Sequence, residues 1–230
     1  MVKSILCGWF VWISASLHAQ LADFTTPFEK ADSVAQAHAH RSLQNIPLLA
    51  FYLTYSLPTE LEKFRAIYKW VCTNIQSDYR LYMTNQSNQK KWANKPAKLA
   101  DWNRSFSRDV FKKLLREQKT VCTGYAYLVC ELARHCRLPC KIINGYAHTN
   151  DCDFNPKSVA NHSWNIIQLN GKWYSCDPTW SSGTVNIATG DFQPNYNNKY
   201  FLTDSSLFNS HHNAFDTLSF QHKKAEKNLP

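Results

Sequence analysis

The chain has 230 residues, 44% of them hydrophobic, and a formal net charge of +9. It contains no internal repeat or low-complexity tract, and nothing marks a linker, so we predict one main domain with a sizeable core. The positive charges are scattered, and neither a basic helix nor an aromatic RNA-binding motif is present, which argues against a nucleic-acid partner. A solvated surface explains the excess of Lys and Arg best. Retention near an anionic polymer, such as a cell wall or an outer-membrane surface, is the alternative.

Residues 1–19 have the pattern of a signal peptide. Lys3 is followed by an apolar run from Ile5 to Leu17 and then by small or polar residues up to Ala19. This pattern predicts export with cleavage near Ala19, to a secreted or periplasmic location. The run is shorter than the roughly 20 apolar residues that a membrane span needs. No other stretch is long enough, so we expect no stable membrane insertion.

Residues 20–55 are predicted to form an N-terminal extension packed on the domain. Within it, Lys30–Leu43 could be a helix and Leu48–Tyr55 could be a strand. His38 and His40 have no partner ligands nearby, so they are interpreted as exposed histidines and not as a metal site.

The next segment predicts an amphipathic helix. Thr59 and Glu62 match a capping box. Apolar residues then recur at steps of three and four, namely Leu61, Phe64, Tyr68, Val71 and Ile75. We expect this helix to pack under the one that follows Cys122. Residues 83–104 are polar and rich in Asn and Lys, which is typical of a long surface loop, and a second helix is predicted at Ser107–Arg116.

Cys122 lies where a charged, loop-like run meets an apolar helical period, so its sulfur is predicted to lie at a helix N-terminus. Unpaired N–H groups and the positive end of the helix dipole favour the thiolate there, and the thiolate is the nucleophile. Gly124 has no Cβ and would let another chain segment or a substrate approach the backbone beside the sulfur. On these residues alone, a buried or disulfide-bonded cysteine is the stronger interpretation.

A β-hairpin is predicted after a buried strand at Cys140–Tyr146. Asn170-Gly171 is the strongest short signal for a two-residue type I′ turn, and it would place Leu169 opposite Lys172. A last strand is predicted at Tyr200–Thr203. The histidine pair at 211 and 212 is interpreted as solvated.

The hairpin register would bring a histidine and an aspartate together. His162 would face Thr179, and Trp164 would face Asp177, with all four side chains on one side of the sheet. His162 and Asp177 would then be diagonal neighbours at roughly 7–8 Å between backbones, a gap that side chains can bridge. A carboxylate on one ring nitrogen fixes the tautomer and leaves the other nitrogen free to take a proton from a thiol.

Cysteine, histidine and aspartate in this order, with their flanking residues, carry a family resemblance. The chain resembles the transglutaminase-like superfamily of cysteine acyl-transfer enzymes in VCTGYAYL around Cys122, INGYAH at 143–148, NHSWNII around His162 and GKWYSCDPTW around Asp177. FRAIYKWVCTNI at 64–75 and KYFLTDSSLFNSHH at 199–212 resemble a bacterial branch related to kyphoscoliosis peptidase. The resemblance covers residues 56–215 and leaves a charged C-terminal tail at 216–230. Thr120 stands where this group usually has glycine, which would stiffen the loop before the cysteine.

The resemblance implies an α+β, papain-like transglutaminase-core fold. N-terminal helices, one with the cysteine at its N-terminus, would pack on an antiparallel sheet that carries the histidine and aspartate. Cys122 would attack an amide or ester carbonyl, His162 would activate the thiol and protonate the leaving amine, and Asp177 would orient His162. The Cys122 backbone N–H would donate to the oxyanion, with the Trp102 side chain favoured as second donor. No metal or organic cofactor is implied.

The fate of the acyl-enzyme defines the predicted activity. Water gives a protease or amidase, whereas an amine gives a crosslinking transglutaminase; the branch favours hydrolysis of a peptide or protein, with cell-wall peptide as one candidate. The competing class is a catalytically silent binding or scaffold protein at the cell envelope. Such a protein has no physical need for Cys122, His162 and Asp177 in matching register. The predicted substrate-binding residues could also be core, groove wall or loop anchors: Trp102, Tyr125, Trp164 and Trp180.

The cysteine count is consistent with a free nucleophile. Eight cysteines, less Cys7 in the signal peptide, leave an odd number, which in an exported protein suggests one free thiol. If that thiol is Cys122, the rest could form up to three disulfides, and Cys136 with Cys140 is a sterically conceivable pair. Their spacings match no zinc ligand set. The six candidates are Cys72, Cys130, Cys136, Cys140, Cys152 and Cys176.

Overall fold

The computed structural model describes residues 27–148, 160–203 and 205–214. The predicted signal peptide, Cys7, Cys152 and the predicted charged tail lie outside these residues. Among the described helices, none combines the length and the hydropathy needed to cross a membrane.

Residues 27–139, which precede the main sheet, are largely helical. The predicted capping box at the start of the third α-helix is confirmed, because the Thr59 hydroxyl accepts from the Glu62 N–H and the Glu62 carboxylate accepts from the Thr59 N–H. This helix and the helix that begins at Cys122 contribute to one hydrophobic core. In chain order the elements are α1 Glu29–Ala37, a 3-10 turn Leu43–Asn45, α2 Ile46–Thr54, α3 Glu60–Asn74, α4 Tyr79–Trp92, α5 Pro96–Glu117 and α6 Cys122–His135.

The predicted strand at Leu48–Tyr55 is wrong, because this segment lies in and just beyond helix α2. Asn45 starts the helix by accepting a hydrogen bond from the Leu48 N–H at 3.0 Å. The helical period was hidden because the outer face of α2 is also apolar: Leu48, Phe51 and Tyr55 are 43%, 57% and 65% exposed. The predicted helix from Lys30 is confirmed as far as Ala37, where α1 ends.

The predicted loop at residues 83–104 is also wrong, since α4 and the first half of α5 occupy it. No residue of α4 is fully buried, so its sequence carries no apolar period. Its start is fixed by Asp78, whose carboxylate accepts a hydrogen bond from the Leu81 N–H at 2.9 Å. Pro96 starts α5, where its fixed φ suits the first turn. The predicted helix at Ser107–Arg116 is the second half of α5.

The main sheet has four antiparallel strands in the order β5-β4-β3-β8. Helix α6 packs against β3 and β4, so the cysteine-bearing helix lies directly on the strand that begins with His162. Two further pairs of short strands form separate sheets: β1 pairs with β2 in parallel, and β6 pairs with β7 antiparallel. The strands are β1 Gln76–Ser77, β2 Lys119–Thr120, β3 Cys140–Ala147, β4 His162–Leu169, β5 Lys172–Cys176, β6 Gly183–Val185, β7 Phe192–Pro194 and β8 His212–Ala214.

The predicted hairpin register is confirmed. Leu169 pairs with Lys172, and the ladder runs to Asn165 opposite Cys176. The turn residues Asn170 and Gly171 both have left-handed φ values, of 49° and 80°, as a type I′ turn requires.

The hairpin ladder stops at Cys176, so the predicted pairs of His162 with Thr179 and of Trp164 with Asp177 do not form. Asp177 instead caps helix α7, Pro178–Ser182, by accepting from the N–H groups of Thr179 and Trp180. This cap turns the chain away from the sheet.

The predicted last strand at Tyr200–Thr203 is wrong. Leu202 has a left-handed φ of 49°, which interrupts an extended strand, and only an isolated bridge joins Thr203 to Ser175. The edge of the sheet is β8, which follows helix α8, Ser205–Asn209, and pairs with β3 from Gly145 to Ala147.

Candidate active site

The first residue of helix α6 is Cys122, as predicted. The first-turn N–H groups of a helix have no acceptor within the helix, so they favour negative charge at this position. Thr120 in β2 is fully buried against the first turn, where a Cβ added at Gly124 would clash with the Thr120 Oγ1 atom. The missing Cβ of Gly124 therefore makes room for the Thr120 side chain.

The imidazole of His162 lies between Cys122 and Asp177. Its Nε2 is 2.7 Å from Asp177 Oδ2, and its ring is the neighbour that most lowers the pKa of the Cys122 thiol. Since Nε2 is taken by the carboxylate, Nδ1 is the nitrogen left for the sulfur. The backbone N–H of Ser163 also acts to lower the pKa of the Cys122 thiol.

Asp177 is fully buried, and both of its carboxylate oxygens are engaged. Oδ1 accepts from the backbone N–H groups of Thr179 at 2.9 Å and Trp180 at 3.1 Å. Oδ2 lies 2.7 Å from His162 Nε2 and 3.0 Å from His212 Nε2. The N-cap of α7 and two histidines therefore hold one carboxylate in place.

His212 is the residue of this cluster that the sequence interpretation missed. It was expected to be solvated, but it is 2% exposed and stacks on Phe208 at 4.1 Å between ring centroids. Its strand, β8, has three residues, too few to establish a two-residue period, and its partner Asp177 is 35 positions away in the sequence. No short-range signal identifies such a contact.

The electrostatics favour a charged Cys122–His162 pair. Burial by itself would raise the pKa of the Cys122 thiol, but the neighbouring His162 outweighs it, so the thiol pKa is lowered. Burial would lower the pKa of His162, but the neighbouring Asp177 carboxylate raises it. Despite its burial, the pKa of Asp177 is held well below its usual range by His162 and His212. All three shifts favour a thiolate facing an imidazolium.

An open cleft of about 320 Å³ exposes this pair. Cys122 and His162 line it together with residues from the end of β1, the start of α4, the sheet, α7 and β6. The other lining residues are Ser77, Asp78, Tyr79, Tyr82, Thr120, Val121, Ala147, Asn161, Thr179, Trp180 and Val185. A substrate chain in this cleft would pass directly over the sulfur.

Comparison with known proteins matches residues 48–178 to the family model of the transglutaminase-like superfamily. This match covers more than half of the chain and includes Cys122, His162 and Asp177. The chain belongs to the transglutaminase-like superfamily. Its α+β fold, with helices packed on a curled antiparallel sheet, is the papain-like core predicted from the sequence.

Two curated relatives extend the comparison. The chain is 31% identical over 209 residues to kyphoscoliosis peptidase of Homo sapiens and, equally, of Mus musculus. Each alignment covers 88% of this chain and 28% of the relative, so this chain spans little more than a quarter of their length. A solved TGase structure is 18% identical with a TM-score of 0.40, covering 80% of this chain and 40% of that one.

Of the aromatic residues predicted to bind substrate in this transglutaminase-like domain, Trp180 lies on the cleft, 5.5 Å from the His162 ring. Tyr125 is fully buried and donates its hydroxyl proton to the Ile75 carbonyl at 2.7 Å, so it faces the core. Trp164 is 3% exposed and packs beneath His162 and against Phe208. These two side chains position the site from below and do not line the cleft.

Trp102 is likewise a structural side chain. Its indole stacks on Phe106, and its Nε1 donates to Asn85 Oδ1 at 3.0 Å, which ties α5 to α4. Because that N–H is already used outside the cleft, it is not the second oxyanion donor that was expected. The alternative that Trp102 anchors its segment fits the structure, but the segment is a pair of helices and not a loop.

Tyr68 is a second residue whose role the sequence did not indicate, since it was counted only as part of an apolar stripe. It is fully buried on α3, and its hydroxyl lies 2.8 Å from both the Asp177 carbonyl oxygen and Ser181 Oγ. This contact anchors the backbone at Asp177 to the helix beneath the site.

The site also contains a geometric metal-ligand set. His162, Asp177 and His212 offer ligand atoms within 4.8 Å of one another. Both imidazole Nε2 atoms face the same carboxylate oxygen at hydrogen-bond distance, so a metal would displace the contact that orients His162. The arrangement fits a carboxylate shared by two imidazoles, and metal binding would compete with it.

Proposed function

We propose that this protein is a cysteine-dependent acyl-transfer enzyme that hydrolyses peptide or amide bonds. The observation that supports it is the grouping of Cys122, His162 and Asp177 at an open cleft, in which Asp177 holds His162 and His162 lowers the pKa of the Cys122 thiol. A thiolate at a helix N-terminus, beside an imidazole oriented by a carboxylate, is the arrangement that nucleophilic catalysis at a carbonyl requires.

In the proposed reaction, the Cys122 thiolate attacks the carbonyl carbon of the substrate and forms a tetrahedral intermediate. The backbone N–H of Cys122 faces the developing oxyanion. His162, held as an imidazolium by Asp177, gives its proton to the leaving amine as the carbon–nitrogen bond breaks. His162 then takes a proton from water, which attacks the thioester and releases the acid and the thiolate.

Hydrolysis is preferred to amine transfer because the mammalian relatives at 31% identity are named as a peptidase. The cleft that Cys122 lines is open, so water can reach the acyl-enzyme, and this access alone would serve an amine equally. Together with the predicted signal peptide, this leads us to propose export and a peptide or protein substrate, with cell-wall peptide as one candidate.

An unselected peptide library with mass-spectrometric readout tests the proposal. Wild-type protein should create new amino termini, whereas Cys122→Ala and His162→Ala should create none. Cys136→Ala is the matched control, since Cys136 is also half-buried but lies beside Thr54 instead of a histidine. A primary amine added to the library distinguishes the chemistries: amine adducts on glutamine without cleavage would overturn hydrolysis, and turnover that survives Cys122→Ala would overturn the cysteine mechanism.

A chelator arm addresses the metal alternative at His162, Asp177 and His212. Turnover that is unchanged in excess EDTA is the expected result. Turnover that EDTA abolishes and Zn²⁺ restores would contradict the metal-free mechanism.

A further inference from the structure

Two cysteines away from the cleft lie next to each other. Cys130 is on α6, two turns beyond Cys122, and Cys140 is the first residue of β3. Their sulfurs are 2.8 Å apart. The sequence had suggested Cys140 with Cys136, but the Cys136 sulfur instead lies 3.4 Å from Thr54 Oγ1.

The contact between Cys130 and Cys140 has the wrong geometry for a shared metal. Two thiolates on one tetrahedral zinc, at about 2.3 Å from the ion, are about 3.8 Å apart. The present separation is shorter than that, and the described residues place no third histidine, cysteine or carboxylate in a ligand set with these sulfurs. Forming a disulfide, by contrast, needs the sulfurs to approach by less than ~1 Å, to about 2.05 Å.

A buried amide holds the two thiols in register. Asn165 on β4 is fully buried, and its Nδ2 donates to the Ala126 carbonyl at 2.9 Å and lies 3.3 Å from Cys130 Sγ and 3.6 Å from Cys140 Sγ. The amide therefore contacts α6 and both sulfurs at once. The contact between the two thiols lowers the pKa of Cys130 and raises the pKa of Cys140. Cys130 is thus the thiol better prepared to act as the thiolate.

We propose that Cys130 and Cys140 form an intramolecular disulfide that joins the cysteine-bearing helix α6 to the sheet. The Cys130 thiolate attacks a disulfide donor, such as glutathione disulfide or an oxidised dithiol oxidoreductase, and releases one donor thiolate. Cys140, after losing its proton, attacks the Cys130 sulfur of the mixed disulfide and releases the second donor thiolate. The two protons end on the donor, which is reduced by two electrons as the cysteine pair is oxidised.

The bond would close a short loop at a position that matters for the cleft. It encloses the end of α6 and the turn into β3, whereas Cys122 at the start of α6 stays outside the loop and remains a free thiol. Constraining the unfolded chain with a loop of this size should raise the melting temperature by roughly 5–10 °C.

The experiment uses the full chain, reduced and then treated with glutathione disulfide. A non-reducing peptide map should show Cys130 linked to Cys140, with the linked peptides together about 2 Da, two hydrogens, lighter than the same two peptides reduced; a glutathione adduct on Cys122 is mapped separately. Melting should occur at higher temperature before dithiothreitol than after it. Cys130→Ser and Cys140→Ser should abolish the mass change and the temperature difference, and the matched control Cys136→Ser should keep both.

The wild-type measurement decides the question even if a variant fails to fold. Both thiols still alkylated after oxidation, a stable mixed disulfide with glutathione at either cysteine, or a map that links a different pair would each overturn the proposal. Because Cys122 takes no part in this bond, its reactivity is scored separately, and the outcome does not depend on the proposed function.

Discussion

At Asp177, four donors from three elements converge on one buried carboxylate. Two are the first N–H groups of α7, one is His162 and one is His212. Burial lowers the pKa of His212 more than the Asp177 carboxylate raises it, and the charge of His162 lowers it further, so His212 is neutral beside a charged His162. Its single proton belongs on Nε2, because the carboxylate is a stronger acceptor than the Phe208 carbonyl 3.3 Å from Nδ1.

This arrangement makes His212 a positioning residue. His212→Ala removes one charge-assisted hydrogen bond from Asp177, so we expect alkylation of Cys122 at neutral pH to slow about ten-fold. His212→Gln, which retains an N–H donor, should recover most of the rate. The measurement is the peptide-resolved iodoacetamide rate as a function of pH. Loss of folding without any change in the pH profile of the remaining folded protein would indicate a purely structural role.

At the scale of elements, helix α3 supports the site from below through one hydroxyl. Tyr68→Phe deletes that hydroxyl without changing the packing, and leaves the buried Ser181 hydroxyl and Asp177 carbonyl with one partner fewer. We expect a loss of about 1–3 kcal/mol in the free energy of unfolding. Urea denaturation measures it, with Tyr55→Phe as control because Tyr55 is 65% exposed. Equal effects of the two substitutions would contradict the anchoring role.

The start of α6 depends on the fit between Thr120 and Gly124. A Cβ at Gly124 would meet the Thr120 side chain, so Gly124→Ala should destabilise the fold by about 1–3 kcal/mol. In a Thr120→Gly background the same substitution should be much less costly, because the obstructing side chain is gone. A double-mutant cycle by thermal or urea unfolding measures the coupling. Additive effects would show that the two residues do not constrain each other.

The elements that could be predicted from the sequence are those with local signals. The capping box at Thr59 and the turn at Asn170 are each encoded within a few residues, and both formed as expected. Helix α4 failed because a helix that buries no residue has no apolar period, and α2 failed because apolar residues also cover its exposed face. In both helices the initiating cap, Asp78 or Asn45, was the usable signal.

At the scale of the whole molecule, the cleft is assembled from distant parts of the chain. Its lining comes from residues near 77–82, from the starts of α6 and β4, and from residues near 179–185. The sequence placed Cys122, His162 and Asp177 near one another because helix start, strand and turn are local and a family pattern joins them. It could not place His212 or exclude Tyr125, since both depend on contacts across 35 and 50 positions.

The most direct test of the account is the pH dependence of Cys122 alkylation by iodoacetamide, resolved by peptide mapping. Because the pKa of its thiol is lowered, Cys122 stays ionised at pH values where an ordinary cysteine is already protonated. The raised pKa of His162 keeps an imidazolium beside it. Cys136, whose pKa is raised by burial, is the internal control.

An ordinary cysteine, with a pKa of about 8.5, is mostly protonated at and below pH 7. We expect Cys122 still to react rapidly in that range, while Cys136 reacts only at alkaline pH. Asp177→Asn should move the Cys122 profile to higher pH, because the charge that raises the pKa of His162 is lost. A Cys122 profile that matches that of Cys136, or that does not move in Asp177→Asn, would contradict the proposed thiolate–imidazolium pair and with it the catalytic role of this site.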